Sequence, residues 1–388
     1  MEINKTKPLH EVMKIVQAMC VSQTHGMDIA IPYILGPPGI AKTAQTIKMC
    51  SDAGWNLIVT HYGLRPIEEV SGIPQFKTVK LNDVDTLGTV WSMPDILTEI
   101  HSFNDPNTIT VWFLDDMHLA SPALIALGYE LFSERKLRGH KIPDNVAFVL
   151  AGNTSSKAGA KAMFSAVVNR CAMLPVQLDF NQWKTEFALP SGVNSKIVSF
   201  LSNVKYQRYV QEEEKTSVDS GWASYRSWTR FGNLLTPMED FYGEVPHGDI
   251  LYYAAAHVGE EAAGEFTAYY KIFSQVEVDK IFDGVIEIKA PSDMSGQYVY
   301  MMATLSEFFN RYLKRKDGFI RGELIKIMSK ILIELAKSRS EIATTGLKEI
   351  AVTETSLNMK NIYIKVHSAM NMIDSEIGAR ISKDIHII

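Results

Sequence analysis

The chain has 388 residues, 46% hydrophobic and 21% charged, with a formal net charge of −5. That composition excludes wholesale disorder and a disulfide miniprotein, and the small negative charge offers no chain-wide basic surface for nucleic acid. Cys20, Cys50 and Cys171 stand far apart with no CxxC pair, so they read as free thiols in a reducing compartment rather than a metal framework. The N-terminal stretch has no long apolar core, and no run of about eighteen uncharged apolar residues occurs. A cytoplasmic protein with no membrane partner is therefore expected.

Leu9, Val12, Met13, Val16, Met19 and Cys20 recur at helical spacing, which predicts an opening amphipathic helix. The apolar run 29–35 predicts a buried strand, 42–53 a helix and 56–62 a second strand. Residues 64–98 are rich in turn residues and aromatics and read as loops with a hairpin. A third strand is expected over 109–114, then a helix marked by Leu124, Leu127, Leu131 and Phe132. Runs 145–151 and 171–178 predict strands four and five. Strands alternating with helices over this span indicate an α/β domain with a parallel five-stranded sheet. The second half reads as helical, with periodicity over 248–283, 298–316, 319–339 and 360–384. Three divisions are expected: a nucleotide-binding αβα domain over 1–180, a helical lid over 181–290 and a C-terminal helical extension over 291–388.

Gly36-Pro37-Pro38-Gly39-Ile40-Ala41-Lys42-Thr43 follows a predicted strand and precedes a predicted helix, the context a phosphate-binding loop requires. Glycines let backbone N–H groups curl round an anion, and the helix N-terminus adds a favourable dipole. Lys42 is expected on the β- and γ-phosphates of ATP and the Thr43 hydroxyl on Mg²⁺. Ala41 stands where glycine is usual. The alternative is a Gly/Pro-rich turn with an incidental lysine. The strand 111–114 ends in Asp115 and Asp116; the first acid is expected to hold Mg²⁺ through water and the second to polarise an attacking water. Aspartate at 116 is one methylene shorter than glutamate, so its reach to that water is worse and hydrolysis is expected to be slow. An acid pair capping the next helix is the alternative.

These residues resemble an AAA+ ATPase, specifically the MoxR-like branch, whose members tolerate Ala before the loop lysine. The resemblance runs from about residue 30 to 235. Leu64-Arg65-Pro66, Glu69 to Pro74 and Trp91-Ser92-Met93-Pro94 look like the insertion that faces the central pore in that family. Residues 121–137 and Arg138 to Pro143 resemble the stretches after the acidic motif and before the fourth strand. Ala151-Gly152-Asn153 matches sensor 1, where the Asn153 amide meets the γ-phosphate and the water; a turn asparagine is the alternative. Val168-Asn169-Arg170 matches the arginine-finger position, so Arg170 is expected to reach a neighbouring subunit's γ-phosphate; a surface ion pair is the alternative, with Arg135 and Arg138 as substitutes. Ala223 to Trp228 resembles sensor 2 with Tyr225 where proline is usual; Arg226 is the carried-over residue and Arg230 a substitute.

The resemblance implies an ATP hydrolase working as a hexameric ring that remodels a partner protein, a MoxR-like chaperone whose client is of the von Willebrand factor A domain kind. Two other readings stay open: a slow-hydrolysing assembly switch, and a nucleic-acid motor or loader. Tyr298, Met301, Met302, Leu305, Phe308, Phe309 and Tyr312 form a stripe expected to be core. Residues 311–339 hold nine basic against three acidic residues, so the rest of the chain is acidic. A solvated helix face is the plain reading there, and an acidic partner or nucleic acid the alternative. Glu212-Glu213-Glu214 reads as an exposed acidic run.

Overall fold

The computed structural model describes residues 6–103, 105–153, 165–177, 180–210, 221–274, 276–357 and 359–386. The acidic run 212–214 lies outside them. The chain divides into two compact units, Met1–Leu178 and Asp179–Ile388.

The first unit contains strands β1 (Lys7–Pro8), β2 (Ile31–Leu35), β3 (Asn56–His61), β4 (Pro74–Leu81), β5 (Val84–Trp91), β6 (Thr110–Asp115), β7 (Lys136–Leu137), β8 (His140–Lys141), β9 (Val146–Gly152) and β10 (Cys171–Gln177). Its helices are α1 (Leu9–Thr24), α2 (Lys42–Ala53), α3 (Ile67–Ser71), α4 (Asp95–Ser102), α5 (Pro122–Glu134) and α6 (Ser165–Val168). Six strands pair in parallel in the order β1-β10-β2-β9-β6-β3. The five predicted strands are all present. The sixth, β1, is a two-residue edge strand too short to carry a pattern, and Pro8 is tolerated there because an edge residue need not donate.

Every residue of β6 and β9 is buried, as expected of parallel strands covered on both faces. Alternation sends Trp112, Leu114 and Phe148 to one face, with Leu97 and Ile100 of α4 and Leu124 and Leu131 of α5. Val111, Phe113 and Val149 go to the other, with Val12 and Val16 of α1 and Met49 and Cys50 of α2. The hairpin β4–β5 keeps Phe76, Val84 and Leu87 exposed. All three cysteines are free thiols. Burial pushes Cys50 up to about 11 and Cys171 up to about 12, so both stay neutral and unreactive near neutral pH.

The second unit is helical: α7 (Phe180–Gln182), a six-residue π-helical turn over Trp183–Ala188, then α8 (Ser195–Ser202), α9 (Tyr225–Tyr242), α10 (His247–Val258), α11 (Glu260–Ser274), α12 (Val278–Phe282), α13 (Met294–Lys314), α14 (Gly318–Ser338), α15 (Ser340–Ser356), α16 (Ile362–Ile373) and α17 (Ser375–His386). The predicted stripe on α13 is core, with Met301, Leu305, Phe308 and Tyr312 buried. Phe200 on α8 stands in ring contact with Tyr206, Tyr209, Trp228, Phe266 and Tyr269, which closes a second core.

One buried side chain ties α1 to the sheet. Gln23 Nε2 donates to Phe148 O at 3.0 Å, and its Oε1 accepts from Phe148 N–H at 2.9 Å. The pairing of β2 with β9 begins only at Leu150, so Gln23 satisfies two backbone groups the ladder does not. Gln23→Leu orphans both, and the expected loss is about 2–4 kcal/mol in urea unfolding; an unchanged midpoint would contradict this accounting.

Candidate nucleotide-binding site

Three adjacent strands deliver the site. In register, Leu35 of β2 stands opposite Gly152 of β9, and Leu114 of β6 opposite Leu150. The loop after β2, the residue after β9 and the acids ending β6 therefore meet at the carboxyl edge of the sheet. Open α/β sheets bind ligands at this edge, where successive connections diverge.

The loop leaves β2 at Gly36, whose N–H donates to Gly152 O at 3.3 Å. A Cβ at 36 would lie 2.4 Å from Val176 Cγ2 and 2.6 Å from Ile40 Cδ1, so only glycine fits. Gly39 (φ +78°) and Ala41 (φ +68°) are both left-handed. Glycine adopts that region freely, whereas alanine there costs about 1–2 kcal/mol. Ala41 is the N-cap of α2 and provides no side-chain acceptor, which leaves first-turn N–H groups for solvent or an anion.

Lys42, the first residue of α2, is only 7% exposed. Its Nζ donates to Gly36 O (2.9 Å), Pro37 O (3.0 Å) and Asn153 Oδ1 (2.9 Å). These three acceptors are neutral, so phosphate oxygens are stronger partners for the same ammonium hydrogens. Thr43 Oγ1 donates to Asp115 Oδ2 at 2.8 Å, and Asp115 Oδ1 accepts from the Asp116 N–H at 2.9 Å. The structure thus brings together Lys42, Thr43, Asp115 and Asn153, which the sequence reading selected from three separate segments.

Asp116 has a left-handed backbone (φ +58°). Gly63 lies against it: a Cβ there would sit 2.0 Å from Asp116 O. Asp116 Oδ2 lies 3.3 Å from Nδ1 of His61, the last residue of β3. The ligand atoms of His61, Asp115 and Asp116 lie within 4.8 Å of one another. A hydroxyl and carboxylate oxygens suit Mg²⁺, which takes hard oxygen ligands, whereas the imidazole is engaged with Asp116 and is a poor Mg²⁺ donor. The donor set fits a metal-bound triphosphate. His61 and Gly63 carry no motif of their own; the signal for His61 is its place opposite Asp115 in the parallel register.

Arg170 follows α6; its Nε donates to Ser133 Oγ, and its guanidinium stands 4.2 Å from the Tyr129 ring, both on α5. Arg135 donates to Pro143 O and Val146 O, and Arg138 stands 4.3 Å from the Trp91 ring. In the second unit, Arg226 and Arg230 are both exposed, one turn apart on α9. A Ser224–Ser227 capping box starts that helix, and Tyr225, standing where proline is usual in the resembled motif, is buried and stacked 5.0 Å from Trp183.

No protein-family model matches the chain, and no curated protein matches it. Among solved structures it is similar to RuvB, the Holliday junction branch migration motor of Thermotoga maritima, at 14% identity, covering 72% of this chain and 75% of that one with a TM-score of 0.35. Two single-site mutants of that protein match at 15% and 16% identity, covering 73% and 80% of this chain and 80% and 90% of theirs, with TM-scores of 0.38 and 0.36. At these values the likeness carries no weight, and the functional reading stands on the site's own geometry.

Replacing Ala41 by glycine relieves the left-handed alanine while adding backbone freedom to the unfolded chain. Ala41→Gly is expected to stabilise by up to about 1 kcal/mol in urea unfolding. Destabilisation would mean that residue 41 is not left-handed in the native loop.

Proposed function

We propose that this chain is a P-loop ATPase of the AAA+ type, of the MoxR-like branch, that couples ATP binding and hydrolysis to remodelling of a partner protein. The observation that carries the reading is the convergence of Lys42, Asn153, Thr43 and Asp115 at the carboxyl edge of β2, β9 and β6. Lys42 and the loop 36–43 bind the phosphates; Thr43 and Asp115 hold Mg²⁺, which supplies charge neutralisation when bound. Asp116 orients the attacking water, and the Asn153 amide contacts the water and the γ-phosphate. Arg170 acts on a neighbouring subunit in a hexameric ring, and Arg226, or Arg230 beside it, reports nucleotide state from a lid over 181–290. Residues 291–388 form the extension. The client is a von Willebrand factor A domain protein, and the exposed apolar hairpin β4–β5 is a suitable surface for gripping it.

A second reading, the slow assembly switch, has its own support. Asp116 is short, left-handed and engaged with His61, all of which hold its carboxylate back from a water. A nucleic-acid motor, such as the RuvB branch migration motor, is compatible with the same ATP site.

ATP turnover per subunit is expected to rise with protein concentration and to fall at least a hundredfold in Lys42→Ala and in Arg170→Ala, because an arginine finger in trans is worth about 10³–10⁵ in rate. Undiminished turnover in Arg170→Ala, independent of concentration, would remove the shared site. Asp116→Glu separates the first two readings: faster turnover than wild type supports the switch, and brisk wild-type hydrolysis that the substitution does not improve supports the remodelling ATPase.

A further inference from the structure

The structure sorts the basic residues of 311–339. Arg311 is held by Glu307, Asp279 and Asp283. Lys326 pairs with Glu323 and Lys337 with Glu334. Arg321 Nε donates to Tyr312 O, and Arg339 donates to Gln297. These cations are engaged within the fold. Lys314, Arg315 and Lys316, at the turn between α13 and α14, and Lys330, alone and exposed farther along α14, have no hydrogen bond or ion pair among the described residues.

The same turn carries apolar surface. Residues 314–320 are exposed without interruption, with Phe319 78% and Ile320 40% exposed. Asp317 does not cancel the cations by pairing with them. Its Oδ1 accepts from the N–H groups of Phe319 (2.8 Å) and Ile320 (3.1 Å) as the N-cap of α14. That cap fixes the two apolar residues in the first helical turn, directly after the three cations.

We propose that the α13–α14 turn docks this chain peripherally on an anionic lipid surface. Lys314, Arg315 and Lys316 meet the headgroups, and Phe319 and Ile320 enter the boundary between headgroups and acyl chains. Charge complementarity commits the turn to an anionic occupant, and the apolar pair separates the candidates. Single-stranded nucleic acid is held by successive aromatic rings along a basic groove. Here there is one ring, and its neighbour is a branched aliphatic that offers no stacking face but inserts readily into lipid. No described helix is long and apolar enough to cross a membrane. The expectation of no membrane partner rested on the same lack of a spanning run, which bears on insertion and not on surface contact.

The test is flotation of the full chain with vesicles of phosphatidylcholine alone and with roughly one-third phosphatidylserine, at low and high salt. The chain is expected to float only with anionic vesicles, and less so in salt. Lys314→Glu/Arg315→Glu/Lys316→Glu is expected to lower the partition about a hundredfold, and Phe319→Ala about tenfold, with unfolding midpoints unchanged because all four side chains are exposed. Lys42→Ala is expected to bind as wild type, which keeps this result separate from the ATPase reading. Equal flotation with neutral vesicles, flotation that survives the triple substitution, or binding of a single-stranded oligonucleotide through these cations without vesicle binding would each overturn the proposal.

Discussion

The insertion of β9 between β2 and β6 is the constraint on which the site depends. Parallel strands aligned in this way bring their carboxyl ends to one edge, where the ends of β2, β9 and β6 can share one ligand. Because β6 and β9 are buried along their whole lengths, the apolar cores on the two faces hold that alignment. The contacts from Lys42 to Asn153 and from Thr43 to Asp115 then follow: each joins residues more than seventy positions apart in the chain, the first through the adjacent strands β2 and β9 and the second across β9 from β2 to β6.

Several departures from local rules meet at the same edge. Lys42 and Asp115 are buried charges, and Ala41 and Asp116 are left-handed residues with side chains. Gly63 is required by its approach to the Asp116 carbonyl rather than by its own dihedral angles. Asn82, Asp83, Arg135 and Arg138, in turns and bends of the same unit, are also left-handed, while capping follows the usual rules, as Ser121 capping α5 with Pro122 at its first turn illustrates. A well-packed fold whose buried charges gather at one edge is the pattern expected where stability yields to function.

Much of this was legible before any coordinates. Continuous apolar runs marked β2, β6 and β9 because fully buried strands need no alternation. The phosphate loop was legible because few sequences place Gly-x-x-Gly and Lys-Thr between a strand and a helix. What stayed hidden was set by tertiary geometry. The role of His61 depends on which strand lies beside β6, and no local pattern carries that. Arg135 was set beside Arg170 as a substitute finger; its guanidinium instead satisfies the Pro143 and Val146 carbonyls, which only the folded β7–β8 turn brings near. Helix α15 escaped notice because its threonines and glutamates blur the apolar stripe. Among nine basic residues in 311–339, sequence could not tell which were engaged, since the partners of Arg311 lie on α12, just after it and on α13 itself.

The central claim is that Lys42, Thr43, Asp115 and Asn153 form one phosphate and magnesium site. It is tested most directly by determining the structure of the full chain with Mg²⁺ and a non-hydrolysable ATP analogue. The account predicts that Lys42 Nζ exchanges the Gly36 and Pro37 carbonyls for phosphate oxygens, with Thr43 and Asp115 turned to the metal. Nucleotide bound away from the loop 36–43, with Lys42 still on those carbonyls, would contradict it.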